Sequence, residues 1–203
     1  SLAVTSLAID PTNPQVLYAG TGELVGSNGL GFGYGAEHPG AGIFKSTDGG
    51  VAWSQLPSTD SATFHFVGKL AHHPTKANEL LAATKTGIWK TTNGGSSWSK
   101  LYKPYADFQT QRHSVDVKYS PANDLVIAVG TFDIGSAAGD AFITRDGGTN
   151  WTRITSGGPN EPPISPGSCE ITFTPSNPDI IYLSVGMYEF QGKGEIWRSN
   201  DGG

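Results

Sequence analysis

Short apolar stretches recur along the chain, and each ends in a cluster of glycine, proline, asparagine or aspartate. Apolar and polar residues alternate within these stretches, as in VDVKY and EITFT, and β-branched residues are frequent. Alternation with a period of two and β-branched residues are typical of half-buried β-strands. No convincing helical pattern is present, so the sequence predicts an all-β protein.

A turn motif occurs four times, as KSTDGGVAWSQL, KTTNGGSSWSKL, TRDGGTNWTRI and RSNDGG. Its anchors are Asp48, Asn93, Asp146 and Asp201, at intervals of 45, 53 and 55 residues. An aromatic residue precedes each anchor by four positions, and the first three anchors are followed five positions later by Trp53, Trp98 and Trp151. A period of this length indicates a repeat architecture.

A second motif, with a proline and polar turn residues between two apolar runs, precedes each copy of the first. It is anchored on Pro11, Pro74, Pro121 and Pro175. Each unit is therefore expected to be a four-stranded antiparallel sheet, which must stack on its neighbours to bury both faces. We predict about three and a half blades of a larger β-propeller, at residues 4–56, 64–103, 113–156 and, incomplete, 168–203. The remaining blades are expected outside this sequence or on another chain.

The turn motif resembles the Asp-box, or bacterial neuraminidase repeat, and the combination of DPTNPQVLYAGTGE with GIFKSTDGG is most similar to sortilin-like propellers and xyloglucan-degrading glycoside hydrolases. Asn93 departs from the box and lacks the charge. Because Asx side chains cap turns and tryptophan fills space between sheets, we interpret the box residues as structural and not catalytic.

The long connections between the second and third strands, and those from the fourth strand to the next blade, are expected at the end of each blade opposite the boxes, where loops commonly carry function. Aromatic and charged residues there suit a carbohydrate or a polypeptide ligand. The candidate ligand-binding residues, including one on an innermost strand, are Tyr34, Lys69, Tyr105, Arg112, His113, Phe132 and Tyr188. The glycine-rich stretch Gly26–Gly42 is interpreted as such a loop, since no helix follows it to bind a phosphate.

Three carboxylates are candidate catalytic groups. Asp116 and Glu170 stand five residues before their prolines, in register with Ser6 and Lys69, and this polar column is expected to line a central channel. Asp116 and Glu170 form either an acid and base pair or, with Lys69, a structural ion network. Apolar residues two and four positions before the prolines are expected to pack. Glu23 follows the position where the resemblance to xyloglucanases implies a catalytic Asp, at Gly22.

Composition excludes several classes of function. The net charge of −5 disfavours nucleic acid, no apolar run is long enough for a membrane span, and the histidines lack metal-ligand spacing. We expect no cofactor and no metal, and we interpret Cys169 as a small buried residue. A sialidase is disfavoured because Arg145, Arg153 and Arg198 lie in or beside the boxes, away from the loops.

Two functions follow from these observations. The favoured one is a glycan- or protein-binding module that is secreted or displayed on a bacterial cell surface, with its signal peptide outside this chain. The alternative is a glycoside hydrolase of the xyloglucanase type that uses a pair of carboxylates.

Overall fold

A computed structural model describes residues 2–23, 38–102, 112–123, 125–133, 139–155, 160, 162, 169–186 and 194–203. Within these ranges the regular structure is β-strand, apart from two short 3-10 turns at Pro57–Thr59 and Ala62–Phe64. No helix in the described part is long and apolar enough to cross a membrane. The predicted all-β fold is confirmed.

The first of two compact units, Ser1–Lys103, contains two antiparallel sheets. Sheet 1 has the order β1-β2-β3-β4, and sheet 2 has the order β5-β6-β7-β8. The strands are β1 Val4–Ile9, β2 Leu17–Thr21, β3 Ile43–Ser46, β4 Ser54–Gln55, β5 Val67–His72, β6 Leu80–Thr84, β7 Gly87–Thr91 and β8 Ser99–Tyr102.

The second unit, Pro104–Gly203, contains a four-stranded sheet and a three-stranded sheet, both antiparallel. Sheet 3 runs β9-β10-β11-β12, and sheet 4 runs β13-β14-β15. The strands are β9 Arg112–Tyr119, β10 Ile127–Asp133, β11 Ala141–Thr144, β12 Thr152–Arg153, β13 Cys169–Phe173, β14 Ile181–Val185 and β15 Glu195–Ser199. Three complete sheets and an incomplete fourth agree with the predicted three and a half blades.

In sheets 1, 3 and 4 the turn between the first and second strands forms because asparagine caps its own backbone. In sheet 1 the Oδ1 atom of Asn13 accepts a hydrogen bond from the Gln15 N–H at 3.1 Å. Asn123 and Asn177 accept the same bond two residues further on, at 3.0 and 3.1 Å. This side-chain turn brings the two strands into antiparallel register.

Two ends of each sheet are distinguished below. We call the end that carries this turn and the box the turn end, and the opposite end the loop end.

Each unit buries a core between its own two sheets. In the first unit, residues of sheet 1 such as Tyr18 and Ile43 pack with Val67, Leu70 and Leu80 of sheet 2. In the second unit, Ala141 and Ile143 of sheet 3 pack with Ile171, Leu183 and Val185 of sheet 4. Cys169 is fully buried in this core, and burial raises the pKa of its thiol to about 12. The interpretation of Cys169 as a small buried residue is confirmed.

The apolar positions four residues before the prolines do not all pack as predicted. Leu70, Val117 and Ile171 are buried, but Leu7 of β1 is exposed, and so is Ile9 two residues further on. Side chains on a strand alternate between its faces, and β1 directs Ser6 and Ala8 toward sheet 2. The alternate residues of β1 consequently lie on the other face of sheet 1, where they remain exposed.

Candidate functional site

The box at Asp48 is a closed network of hydrogen bonds at the turn end of sheet 1. Ser46 Oγ donates to Asp48 Oδ1 at 2.7 Å and accepts from the Gly50 N–H at 2.9 Å. The carboxylate of Asp48 accepts the Ala52 N–H at 3.0 and 3.1 Å. Gly49 and Gly50 adopt φ values of 75° and 93°, a region that favours glycine. The hydroxyl two residues before the anchor therefore links both halves of the turn.

The same network forms at Asn93 and Asp146, and its serine hydroxyl bonds form at Asp201. Asn93 accepts the Ser97 N–H at 3.0 Å through its Oδ1 atom, and its amide donates to Ser97 Oγ at 2.8 Å. An amide thus replaces the carboxylate without loss of the turn. At Asp201 the hydroxyl of Ser199 donates to the carboxylate at 2.6 Å.

These hydrogen bonds stabilise the charged form of the box carboxylates. The backbone N–H of Asn150, followed by the Thr144 hydroxyl, lowers the pKa of Asp146 to about 2. The backbone N–H of Ala52 and the Ser46 hydroxyl lower the pKa of Asp48, and the Ser199 hydroxyl is the largest cause that lowers the pKa of Asp201. A carboxylate held ionised by its own turn is a poor proton donor, which favours a structural role.

The box tryptophans differ in their surroundings. Trp53 and Trp151 each donate an indole N–H to the second glycine carbonyl of their own turn, at 3.0 Å. Trp98 packs instead against Phe64, with ring centroids 5.3 Å apart, at the edge of the core between sheets 1 and 2. Trp53 is exposed, so filling space between sheets describes Trp98 better than Trp53.

A threonine at or within two residues of the end of the second strand forms hydrogen bonds at the loop end of three sheets. Thr21 Oγ1 donates to the Gly42 carbonyl at 2.7 Å and accepts the Ala41 N–H at 2.9 Å. Thr84 bonds the Gly87 carbonyl and the Thr86 N–H in the same way, at 3.0 and 3.1 Å. We call this arrangement the threonine clamp. It joins the two ends of the connection between the second and third strands.

The third clamp holds a charged group. Thr131 Oγ1 donates to the Asp140 carbonyl at 3.1 Å and accepts the Asp140 N–H at 3.0 Å. The fully buried Asp140 carboxylate accepts from Thr155 Oγ1 at 2.9 Å and forms an ion pair with Arg153. Arg153 therefore reaches the loop end of sheet 3, which corrects the expectation that it stays beside the box. The sequence analysis missed the clamps, although threonine recurs ten residues after Pro11, Pro74 and Pro121.

Glu23 lies beside the first clamp. Its N–H donates to the His38 carbonyl at 2.9 Å, and the His38 N–H donates back to the Glu23 carbonyl at 3.2 Å. Gly22 precedes this bridge, and a Cβ atom there would lie 1.9 Å from the His65 carbonyl oxygen. The backbone of Glu23 is consequently held by its bridge to His38, two residues after the Thr21 clamp.

Asp116 lies between sheets 3 and 4 and is almost fully buried. Its Oδ2 atom accepts the backbone N–H of Ile171 at 2.9 Å, and its Oδ1 atom binds Lys118 Nζ at 2.6 Å. Ser6 occupies the equivalent position in sheet 1 and accepts the Leu70 N–H at 2.9 Å. Asp116 thus joins neighbouring sheets through one oxygen and pairs with Lys118 of its own strand through the other.

The other candidate residues are placed as follows. Glu170 is exposed on β13, and Lys69 is half-buried on β5 in the first unit. Arg112 and His113 begin β9, and the backbone register sets them opposite Asp133 and Phe132 of β10. Tyr34, Tyr105 and Tyr188 lie outside the described residues. The described part contains no group of three or more His, Cys, Asp or Glu side chains that could hold a metal ion.

A groove of about 660 Å³ lies between sheets 3 and 4 and is lined by residues of β12, β14 and β15. Its apolar floor is formed by Ile154, Ile181, Leu183 and Trp197. In sheets 1 and 2, Leu56 and Trp89 stand at the repeat positions of Ile154 and Trp197, and they pack in the same cluster as Trp98. The groove between sheets 3 and 4 therefore corresponds in the repeat to the region between sheets 1 and 2 where Leu56, Trp89 and Trp98 cluster.

Four repeated antiparallel sheets with box turns define the protein as an Asp-box β-propeller. A family model described as sortilin, neurotensin receptor 3, matches residues 41–160. The chain belongs to this Sortilin-Vps10 family, and the predicted resemblance is confirmed. No curated protein sequence matches the chain.

Solved structures of GH74 enzymes share the fold. An ancestral GH74 enzyme is 20% identical with a TM-score of 0.68, over 98% of this chain and 27% of the enzyme. The GH74 enzyme of Niastella koreensis is 20% identical with a TM-score of 0.66, over 98% of this chain and 28% of the enzyme. The GH74 xyloglucanase of Xanthomonas campestris is 14% identical with a TM-score of 0.65, over 99% of this chain and 37% of the enzyme. The chain thus spans well under half the length of these relatives.

Proposed function

We propose that this chain is a binding propeller that recognises a polypeptide at its loop end. The observation that carries the proposal is the threonine clamp, which fixes the base of the connection between the second and third strands in three sheets. The clamped connections are of very different length, at residues 22–41, 85–86 and 132–139. A rigid base that carries variable segments is the arrangement that scaffolds use for recognition.

The turn end is less suited to binding a partner than the loop end. Its polar groups are engaged within their own turns, since the box carboxylates accept backbone N–H groups and serine or threonine hydroxyls. Few of these groups are left to bind a partner. A polypeptide is favoured over a glycan because the description of the matching family model names a neurotensin receptor. The proposal includes a location outside the cell or on its surface, as the sequence resemblance implies.

A glycoside hydrolase is the second candidate, supported by the GH74 fold and by Glu23 beside the first clamp. A hydrolase of this kind needs two carboxyl groups on opposite sides of the scissile bond. Asp116 is poorly suited to that role because one of its oxygens accepts a hydrogen bond from sheet 4 and the other pairs with Lys118 of its own strand. The binding function is therefore favoured, and catalysis by Glu23, Asp116 or Glu170 stays a prediction.

The test uses a variant that sheet 2 itself suggests. Sheet 2 connects its clamped strands by Thr84-Lys85-Thr86-Gly87-Ile88, and sheet 1 has the same residues, Thr21 and Gly42-Ile43, at the ends of its long connection. Replacing residues 22–41 by Lys-Thr should close the clamp and leave the sheet intact. Peptides selected on the immobilised wild-type protein from a random display library are then measured by fluorescence anisotropy.

We expect the shortened variant to bind the selected peptides at least about tenfold more weakly, as loss of a central contact does. The matched control is Asp48→Asn at the turn end, which should bind as the wild type does. Equal binding by the shortened variant would refute recognition at the loop end. Release of reducing sugar from xyloglucan, abolished by Glu23→Gln, would establish the hydrolase instead.

A further inference from the structure

Two adjacent histidines, His72 and His73, stand where β5 ends at the turn end of sheet 2. Neighbouring side chains on a strand point to opposite faces, so the two rings have different surroundings. The His72 side chain is 4% exposed and meets sheet 1, whereas the His73 side chain is fully buried beside the turn of its own sheet. Histidine can be neutral or charged near neutral pH, and its hydrogen bonds decide which form is stable.

His73 is held in its neutral form by the turn. Its Nδ1 atom accepts the backbone N–H groups of Thr75 and Lys76 at 3.1 and 3.0 Å. A ring nitrogen that accepts hydrogen bonds carries no proton, so the proton of this ring is on Nε2, which lies 3.9 Å from Glu79 Oε1. Protonation of Nδ1 would replace both turn hydrogen bonds by repulsion between N–H groups.

The residue before the turn proline has the same task in two other sheets. In sheet 1 the Oδ1 atom of Asp10 accepts the Thr12 N–H at 2.8 Å. In sheet 3 the Oγ atom of Ser120 accepts the Ala122 N–H at 3.4 Å. His73 is therefore the turn cap of sheet 2, and a histidine cap can lose its acceptor by protonation between about pH 5 and 8.

His72 has the opposite hydrogen-bond pattern. Its Nδ1 atom lies 3.0 Å from the carbonyl oxygen of His73, which can only accept, so this nitrogen carries a proton. Its Nε2 atom faces Asp10 Oδ2 of sheet 1 at 3.6 Å, and both side chains are 4% exposed. A neutral His72 would direct a lone pair at a buried carboxylate. The contact therefore favours the imidazolium form, which makes an ion pair between the two sheets.

Asp10 supplies the negative charge of this pair. Burial by itself raises the pKa of the Asp10 carboxyl, but the Thr12 hydroxyl, the Thr12 N–H and the charge of His72 together lower it below its usual value. The Thr12 bonds use the Oδ1 atom, at 2.6 and 2.8 Å. The Oδ2 atom is the one that faces His72.

The other charged groups around the two rings have their own contacts. On the side of His73, Glu79 is paired with Lys90 at 2.7 Å. On the side of His72, the ring of Tyr18 lies with its centroid 6.0 Å from that of the histidine. Lys45 Nζ is 5.2 Å from the centroid of the Tyr18 ring and donates to the box turn of sheet 2. Asp10 is thus the carboxylate that the structure pairs with His72.

We propose that His72 and His73 form a pH-sensitive joint between sheets 1 and 2, in which His72 is an imidazolium and His73 is neutral. His72 stabilises the fold while it is protonated, so its contribution is lost as pH rises. His73 stabilises the fold while it is neutral, so its contribution is lost as pH falls. The joint is consequently complete only within a window of pH that has one histidine at each edge.

Heteronuclear NMR of labelled histidine rings in the wild-type chain tests both protonation states directly, because it reports whether each ring nitrogen carries a proton. At about pH 7 we expect protons on both nitrogens of His72 and on Nε2 alone of His73. The exposed His38 is the reference. His72 should keep both protons at a pH where His38 has become neutral. The signals are assigned by their loss in His72→Phe and His73→Ser.

A double-mutant cycle tests the ion pair. Sheets 3 and 4 have Ser120 and Phe173 at the repeat positions of Asp10 and His72, so Asp10→Ser and His72→Phe introduce residue types that the repeat already uses. Each should lower the urea midpoint while His72 is protonated, and the double variant should lower it by less than the two shifts combined. This coupling should vanish at a pH where NMR shows a neutral His72. Asp10→Ser combined with His38→Gln is the matched control and should show no coupling.

The NMR result decides the proposal even where a variant does not fold. A His72 ring that becomes neutral together with His38, or a proton on His73 Nδ1 at about pH 7, would overturn it. Coupling between Asp10 and His72 that persists after His72 has lost its proton would also overturn it, because the contact would then be independent of charge.

Discussion

The Oδ2 atom of Asp116 accepts a hydrogen bond of 2.9 Å from the backbone N–H of Ile171, and this bond joins sheet 3 to sheet 4. Ser6 and Leu70 form the equivalent bond between sheets 1 and 2. A residue on the first strand of one sheet therefore holds the first strand of the next, by a polar contact beside the apolar core.

Asp116→Ala should destabilise the protein strongly. It leaves the buried Ile171 N–H without an acceptor and removes the partner of Lys118, which we expect to cost about 2 kcal/mol in the free energy of unfolding. Ser6→Ala removes a neutral acceptor and should cost about 1 kcal/mol. Urea unfolding followed by tryptophan fluorescence measures both. Wild-type stability of Asp116→Ala would contradict the role assigned to this carboxylate.

Gly130→Ala should destabilise more than Gly20→Ala, although both glycines hold the same repeat position. A Cβ at Gly130 would lie 2.0 Å from the Cys169 carbonyl oxygen, so backbone must move. A Cβ at Gly20 would meet the Val67 side chain at 2.6 Å, and a side chain can yield more easily. We expect a loss of roughly 1–3 kcal/mol at Gly130 and a smaller one at Gly20.

The contribution of the Asp146 box should depend on pH. Its folded-state pKa of about 2 is below the unfolded value, so its ionised form stabilises the fold above the unfolded pKa, and this contribution is lost as pH falls through about 2. Asp146→Ala should therefore lower the melting temperature at pH 7, and the difference from the wild type should shrink on acidification. Asp146→Asn should lower the melting temperature less than Asp146→Ala does, because an asparagine, Asn93, forms the same turn in sheet 2. A difference that does not change with pH would contradict an ionised structural carboxylate.

Much of this architecture could be predicted from the sequence because it depends on local chemistry. Box anchors and proline turns repeat in register, and each anchor bonds residues within four positions of itself. The contacts between sheets were harder to predict. The position of Ser6 is occupied elsewhere by Lys69, Asp116 and Glu170, so no common residue type reveals an acceptor for the next sheet. The exposure of Leu7 was missed for a related reason, since an apolar residue in the sequence does not show which neighbour covers it.

The threonine clamp should hold together the two ends of each connection between the second and third strands. Thr84→Val keeps the shape of the side chain but removes the hydrogen bonds to Gly87 and Thr86, and we expect a loss of about 1 kcal/mol. Amide hydrogen exchange at Thr86 should accelerate, while exchange in the β13–β14 pair stays unchanged. Protection of Thr86 equal to that of the wild type would show that the clamp does not hold the connection.

Peptide binding by the protein with residues 22–41 replaced by Lys-Thr separates the connection from its base, because this change removes the connection and preserves the clamp. Recognition at the loop end predicts peptide affinity at least about tenfold weaker than wild type, with unchanged affinity for the Asp48→Asn control. Wild-type affinity in the shortened protein, or an equal loss in the control, would contradict the proposed binding function.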